Sequence, residues 1–280
     1  MSDSQSTDSP EAEQLAAPAA SDSNRAPKPL SPEQLSELLG LLKGADSVEL
    51  KLTVPDHDRR SAMIALGMDP MDAQIRQVVF YDTPDLALNK SGVVVRARRV
   101  QGREADSVVK LRPVVPDELP PELRASEFFG VEVDAMPGGF VCSASMKAKH
   151  EDALVKSVFA GERSIRKIFS KEQRAFFADH APKGLELDSL TPLGPINVIK
   201  LKFLHPDFPR KQVAELWFYP DGSRLLELST KCTPAEAFTV SAEAKAFLGA
   251  RGIDLLAEQQ TKTRTVLEYF AREAEASGQA

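Results

Sequence analysis

From Val48 to Lys231 the chain repeatedly alternates apolar and charged residues with a period of two, and few folds can accommodate that pattern. Residues two apart in a strand share a face. Around Arg96 the rule groups Val94, Arg96 and Arg98 against Val93, Val95 and Ala97. The same sorting puts Glu49 with Lys51, and Lys110 with Arg112 opposite Val109 and Leu111. Glu132 and Asp134 oppose Val131 and Val133, and Lys200 and Lys202 oppose Ile199, Leu201 and Phe203. Glu215 falls with Trp217, and Glu227, Ser229 and Lys231 oppose Leu226 and Leu228. One face of the predicted sheet is therefore apolar, while the other holds eight cations and five carboxylates.

Eight strands are predicted, at residues 48–54, 74–81, 92–100, 106–112, 128–135, 196–204, 211–219 and 223–231. Short loops join many of them, among them the turn Pro220-Asp221-Gly222, and neighbours joined in that way pair antiparallel. Eight such strands can close a small barrel. Helices are expected at 32–44, capped by Ser31 with Gln34 in a capping box, and at 55–68, with Ala62, Ile64 and Ala65 on the buried side. Others are expected at 151–160, after Ser170 with a second Ser-x-x-Gln box, at 234–249, and at 254–270 capped by Asp254. The fold class is thus α+β: an eight-stranded antiparallel β-barrel with helices packed outside.

The amphipathic helices supply enough apolar surface to cover one face, and closure makes the charged face the interior. Cations crowded in a partly desolvated tunnel repel one another and each loses hydration. A polyanion offsets that cost, arginine being suited to bidentate phosphate contacts. Grouped carboxylates favour a hard divalent ion such as Mg²⁺ or Mn²⁺.

The ends and the remaining composition set further bounds. Residues 1–30 are mostly Ser, Asp, Ala, Pro and Gln and read as a disordered tail, residues 31–272 as a single tunnel domain, and 273–280 as a fraying terminus. The net charge of −6 argues against a coat for a nucleic acid duplex. Two widely separated cysteines, no apolar run near the ~18 residues that span a bilayer and no signal-peptide layout point to a reduced, cytoplasmic setting.

The motifs resemble those of CYTH proteins, also called triphosphate tunnel metalloenzymes. Glu49-Leu50-Lys51 resembles the end of their E-x-E-x-K signature. Tyr81-Asp82-Thr83-Pro84-Asp85-Leu86 followed by Val95-Arg96-Ala97-Arg98-Arg99 resembles their turn and arginine strand. Val109-Lys110-Leu111-Arg112, Glu132-Val133-Asp134 and Thr261-Lys262 resemble later elements, and Glu215 and Glu227 fall on the late acidic strands. Asp82 and Thr83 are read as setting the turn.

The resemblance implies a triphosphate-containing small molecule held by Lys51, Arg96, Arg98, Lys110, Arg112, Lys200, Lys202 and Lys231. It implies Mg²⁺ or Mn²⁺ on Glu49, Glu132, Asp134, Glu215 and Glu227, with Glu49, Lys51 and Glu132 in catalysis. Ser47 and Ser229 stand where the family has metal-holding glutamates, and serine is a poor Mg²⁺ ligand. Three activities fit: a triphosphatase, a class IV-like adenylyl cyclase, or a tunnel that binds without turnover.

Overall fold

The computed structural model describes residues 30–259 and 262–276; residues 1–29 of the predicted tail, residues 260–261 with the Thr261 of the late motif, and residues 277–280 lie outside the described residues. Nine strands form one closed barrel: β1 (Ser47–Val54), β2 (Gln74–Asp82), β3 (Val93–Val100), β4 (Ala105–Leu111), β5 (Phe129–Met136), β6 (Gly139–His150), β7 (Thr191–His205), β8 (Phe208–Phe218) and β9 (Arg224–Cys232). Around the barrel the order is β1-β5-β6-β4-β3-β2-β7-β8-β9, with β9 closing onto β1. The helices are α1 (Pro32–Gly44), α2 (Arg59–Ala65), α3 (Ala87–Lys90), α4 (Pro121–Arg124), α5 (Asp152–Phe159), α6 (Lys171–His180), α7 (Ala237–Gly249) and α8 (Lys262–Ala276).

Two features correct the expected eight-stranded antiparallel barrel. The additional strand is β6, which pairs with β5 and β4. The middle of β6 is small, with Ser143 and Ser145 inward and Cys142 and Ala144 outward, and its charges, Lys147 and Lys149, come only near its end, so it lacks the alternating charge that marks its neighbours. The second is a parallel pairing of β1 with β5, which sets Ser47 beside Glu132 and Glu49 beside Asp134. Closure leaves no unpaired edge.

The outward apolar face is covered as the alternation requires. Leu38, Leu41 and Leu42 of α1 join Val48, Leu52, Val131 and Val133 in one core. Phe176 and Phe177 of α6 and Val155 and Val158 of α5 pack on Val93, Val95, Ala97 and Val109 in another. Both capping boxes form, Ser31 with Gln34 and Ser170 with Gln173.

A third core is built differently. Val78, Phe80, Val198, Trp217 and Leu225 share parity with Arg76, Lys200, Glu215 and Glu227, so they face inward, and they pack with Val266 and Leu267 of α8. The last helix therefore closes one end of the barrel, and toward the other Lys202 is exposed. Asp254 caps no helix: its Oδ1 accepts from the Leu256 amide at 2.8 Å, and α8 starts at Lys262 and runs through residues 273–276. Ile64 is 72% exposed, leaving Ala62 as the buried residue of α2.

Candidate active site inside the barrel

Strand parity delivers the predicted charges to a common interior, where they sort into two acidic centres. At the first, Asp134 is fully buried. Lys51 Nζ lies 2.8 Å from it, Arg112 3.0 Å and Lys110 3.8 Å. Lys51 also reaches Glu49 at 3.1 Å. Glu49 accepts from the Ser229 hydroxyl at 3.0 Å, and Glu132 from Lys231 at 2.5 Å and Ser47 at 3.3 Å. The two serines thus turn to the carboxylates that remain.

At the second centre, Glu215 and Glu227 face each other across the β8–β9 ladder. Glu215 Oε1 accepts from Lys200 at 2.7 Å, and its Oε2 accepts from the Trp217 indole at 3.2 Å and from Lys262. Lys262 lies 2.7 Å from Glu227 as well.

Along β2 and β3 the balance shifts to cations. Arg98 binds Asp106 Oδ2 through Nε at 2.9 Å and a terminal nitrogen at 2.6 Å. Arg96 has no carboxylate partner among the described residues, and its buried Nε makes no hydrogen bond. Arg76, 8% exposed, likewise keeps a free Nε, a terminal nitrogen reaching Gln74 at 3.0 Å. Lys202 is exposed at the rim rather than enclosed, and the Lys231 side chain is 57% exposed.

The electrostatics follow from burial set against these contacts. Burial opposes ionisation of Asp134, but Lys51, Lys110 and Arg112 outweigh it and hold the carboxyl below its usual range. Lys51 is likewise opposed by burial and raised by Asp134, Glu49 and Glu227. Burial pushes Lys110 down to about 8; Asp134 opposes the shift, and Lys51 and Arg112 add to it. Glu215 sits well below its ordinary value because Lys262 and Lys200 overcome burial. Burial beside Arg98 lowers Arg76 to about 10, leaving it charged at neutral pH.

Three residues gain roles that the alternation did not reveal. Arg76 shares its face with apolar Val78 and Phe80, so β2 shows no clean charged side. Asp106 was read only as a strand start, and Lys262 comes from a helix. Asp82 sets the turn as expected, its side chain accepting from the amides of Thr83, Leu88 and Asn89 at 2.7, 2.9 and 3.0 Å.

The interior offers a fitting donor set for a hard divalent cation. Glu49, Glu132 and Asp134 each present a carboxylate oxygen within 4.8 Å of the others. Both Asp134 oxygens are buried, one 2.8 Å from Lys51 and the other 3.0 Å from Arg112, so a divalent ion held here would take over contacts that these cations now make. All-oxygen sites of this kind suit Mg²⁺ and Mn²⁺.

No protein-family model matches the sequence, and no curated protein matches it. Solved structures do. A putative adenylyl cyclase from Hippeastrum, described as having a dominant triphosphatase activity, is 14% identical with a TM-score of 0.60, the match covering 79% of this chain and 95% of that one. A putative adenylate cyclase from Bacillus halodurans is 13% identical with a TM-score of 0.55, covering 79% and 97%. The chain therefore has the fold of these CYTH-type cyclase and triphosphatase structures, and the resemblance read from its motifs holds at the level of the fold.

Proposed function

We propose that the barrel interior binds the triphosphate group of a small molecule and hydrolyses it with the aid of Mg²⁺ or Mn²⁺. The observation that carries this reading is the pair of enclosed arginines, Arg76 and Arg96, whose Nε groups have no partner. A buried guanidinium Nε without an acceptor is costly, and a chain of phosphate oxygens supplies acceptors along the whole run of cations.

In this reading Arg76, Arg96, Arg98, Lys110, Arg112 and Lys200 align the phosphate chain, with Lys202 and Lys231 at the rim. Glu49, Glu132 and Asp134 would hold the metal, which would supply Lewis-acid neutralisation of phosphate charge. Water attacks the terminal phosphorus in line, and Glu132 accepts its proton. The bridging P–O bond breaks, and its electron pair leaves on the remaining diphosphate, where Arg96 and Arg98 stabilise the developing charge. Lys51 keeps Glu49 and Asp134 ionised and near each other.

A binder without turnover is the second reading, favoured by Ser47 and Ser229, which hydrogen-bond to Glu132 and Glu49 where further ligands would strengthen a metal site. A cyclase would instead direct a ribose hydroxyl at the α-phosphorus. Purified protein incubated with tripolyphosphate, ATP and thiamine triphosphate plus Mg²⁺ or Mn²⁺ separates the three. Orthophosphate release is the expected result; cyclic AMP would identify the cyclase, and tripolyphosphate binding with neither product would leave the binder.

A further inference from the structure

Close-packed protein interiors hold few voids larger than a water molecule. A cavity of about 790 Å³ nevertheless lies outside the barrel, between its wall and helices α1 and α7. The sequence of α7 explains the gap. Ala237, Ser241, Ala244 and Leu248 recur at helical spacing and line the cavity, and three of these four side chains are small. Leu50, Leu52 and Leu228 form the facing wall, and Leu38 and Leu42 of α1 border it.

The buried amide of Gln212 interrupts this apolar lining. Across the wall Leu50 pairs with Thr230, and Thr230 with Gln212. Lys51, Ser229 and Glu215 have the opposite parity and serve the barrel interior, so Gln212 points outward to the cavity. It is 5% exposed, and its amide nitrogen has no acceptor among the described residues. A buried donor without a partner is costly, and a ligand oxygen in the cavity would relieve that cost.

The charges around the cavity select the kind of molecule. Among the described lining residues the cations are Lys51 and Lys245. The Lys51 ammonium turns to Glu49 and Asp134 in the barrel, and Lys245 is exposed at the rim. A carboxylate buried beside Gln212 would therefore go unpaired. The chain's own N-terminal segment is poorly suited to the space: residues 2–29, which lead to Leu30 in the lining, contain one large apolar side chain, Leu15.

We infer that this cavity binds an uncharged, lipid-like molecule, an apolar chain or ring system with a carbonyl or hydroxyl oxygen that accepts from Gln212. The barrel wall separates it from the tunnel, and it does not depend on the proposed triphosphate chemistry.

Titration calorimetry of the full chain with 2-decanone, and with decanoate at pH 8, tests the inference. Wild type should bind 2-decanone, and decanoate at least tenfold more weakly. Gln212→Leu keeps much of the bulk and removes the donor. It should bind 2-decanone about fivefold more weakly and, without ligand, melt no lower than wild type. Ala244→Trp occupies part of the cavity and should weaken binding at least tenfold. Unchanged binding by either variant, a lower melting temperature for free Gln212→Leu, or decanoate binding as tightly as 2-decanone would overturn the inference. So would failure of wild type to bind 2-decanone, which would leave the cavity to the N-terminal segment or to a second copy of the chain. If Ala244→Trp fails to fold, Gln212→Leu decides alone.

Discussion

Lys110 gives the site a pH dependence that runs in a specified direction. Its pKa is pushed from 10.5 down to about 8, because the ammonium is buried next to Lys51 and Arg112, with Asp134, at 3.8 Å, and Glu132 in opposition. A lysine depressed in the folded state costs stability while it is charged there. The cost is present below pH 8 and disappears as pH rises toward 10.5; at about 1.4 kcal/mol per unit it amounts to about 3 kcal/mol. A phosphate chain lying against Lys110 reverses the imbalance and restores the proton. Tripolyphosphate binding should therefore take up close to one proton at pH 9, and its affinity should fall about tenfold from pH 7 to pH 9 as free Lys110 loses its charge. Calorimetry in two buffers of different ionisation enthalpy measures both quantities. Lys110→Met should bind more weakly at pH 7 and lose most of the pH dependence. An affinity that stays level from pH 7 to pH 9, or an identical profile in Lys110→Met, would refute the assignment.

Other perturbations probe the frame and the metal site. Gly92 has φ +74°, and a Cβ there would lie 2.8 Å from the carbonyl oxygen of Arg112, so Gly92→Ala should cost on the order of 1–3 kcal/mol. A thermal melt matching wild type would contradict that reading. Phe80, 1% exposed, fills the end of the barrel that α8 closes, and Phe80→Ala should lower unfolding stability by about 3–5 kcal/mol in a denaturant titration. A loss below about 1 kcal/mol would place α8 elsewhere. Ser47→Glu adds a carboxylate beside Glu132 and should raise both Mn²⁺ affinity and metal-dependent phosphate release. Unchanged values would mean that the metal is held away from β1.

The strands that carry alternating charge were legible in the sequence because burial on one face and function on the other reinforce the same period of two. β1, β3, β4, β5 and β9 show this, and their inward residues meet in the interior. β6 escaped because the barrel requires small side chains there: Ser143 and Ser145 lie opposite Glu132 and Lys110 and leave room for them. The parallel β1–β5 contact joins segments far apart in the chain, and no turn chemistry announces it. Arg76 escaped for a related reason. The same strand must line a polar tunnel at Arg76 and pack against α8 at Phe80, so its inward face changes character midway. The partition of carboxylates into two centres depends on distances that parity alone does not provide.

Calorimetric titration of tripolyphosphate into wild type and Arg96→Ala tests the central claim most directly, since Arg96 lines the interior and lacks a carboxylate partner among the described residues. The account predicts one-to-one binding by wild type and at least a tenfold loss in Arg96→Ala, or about 1.4 kcal/mol, with the melting temperature retained. No binding by wild type, or equal binding by both proteins, would contradict it.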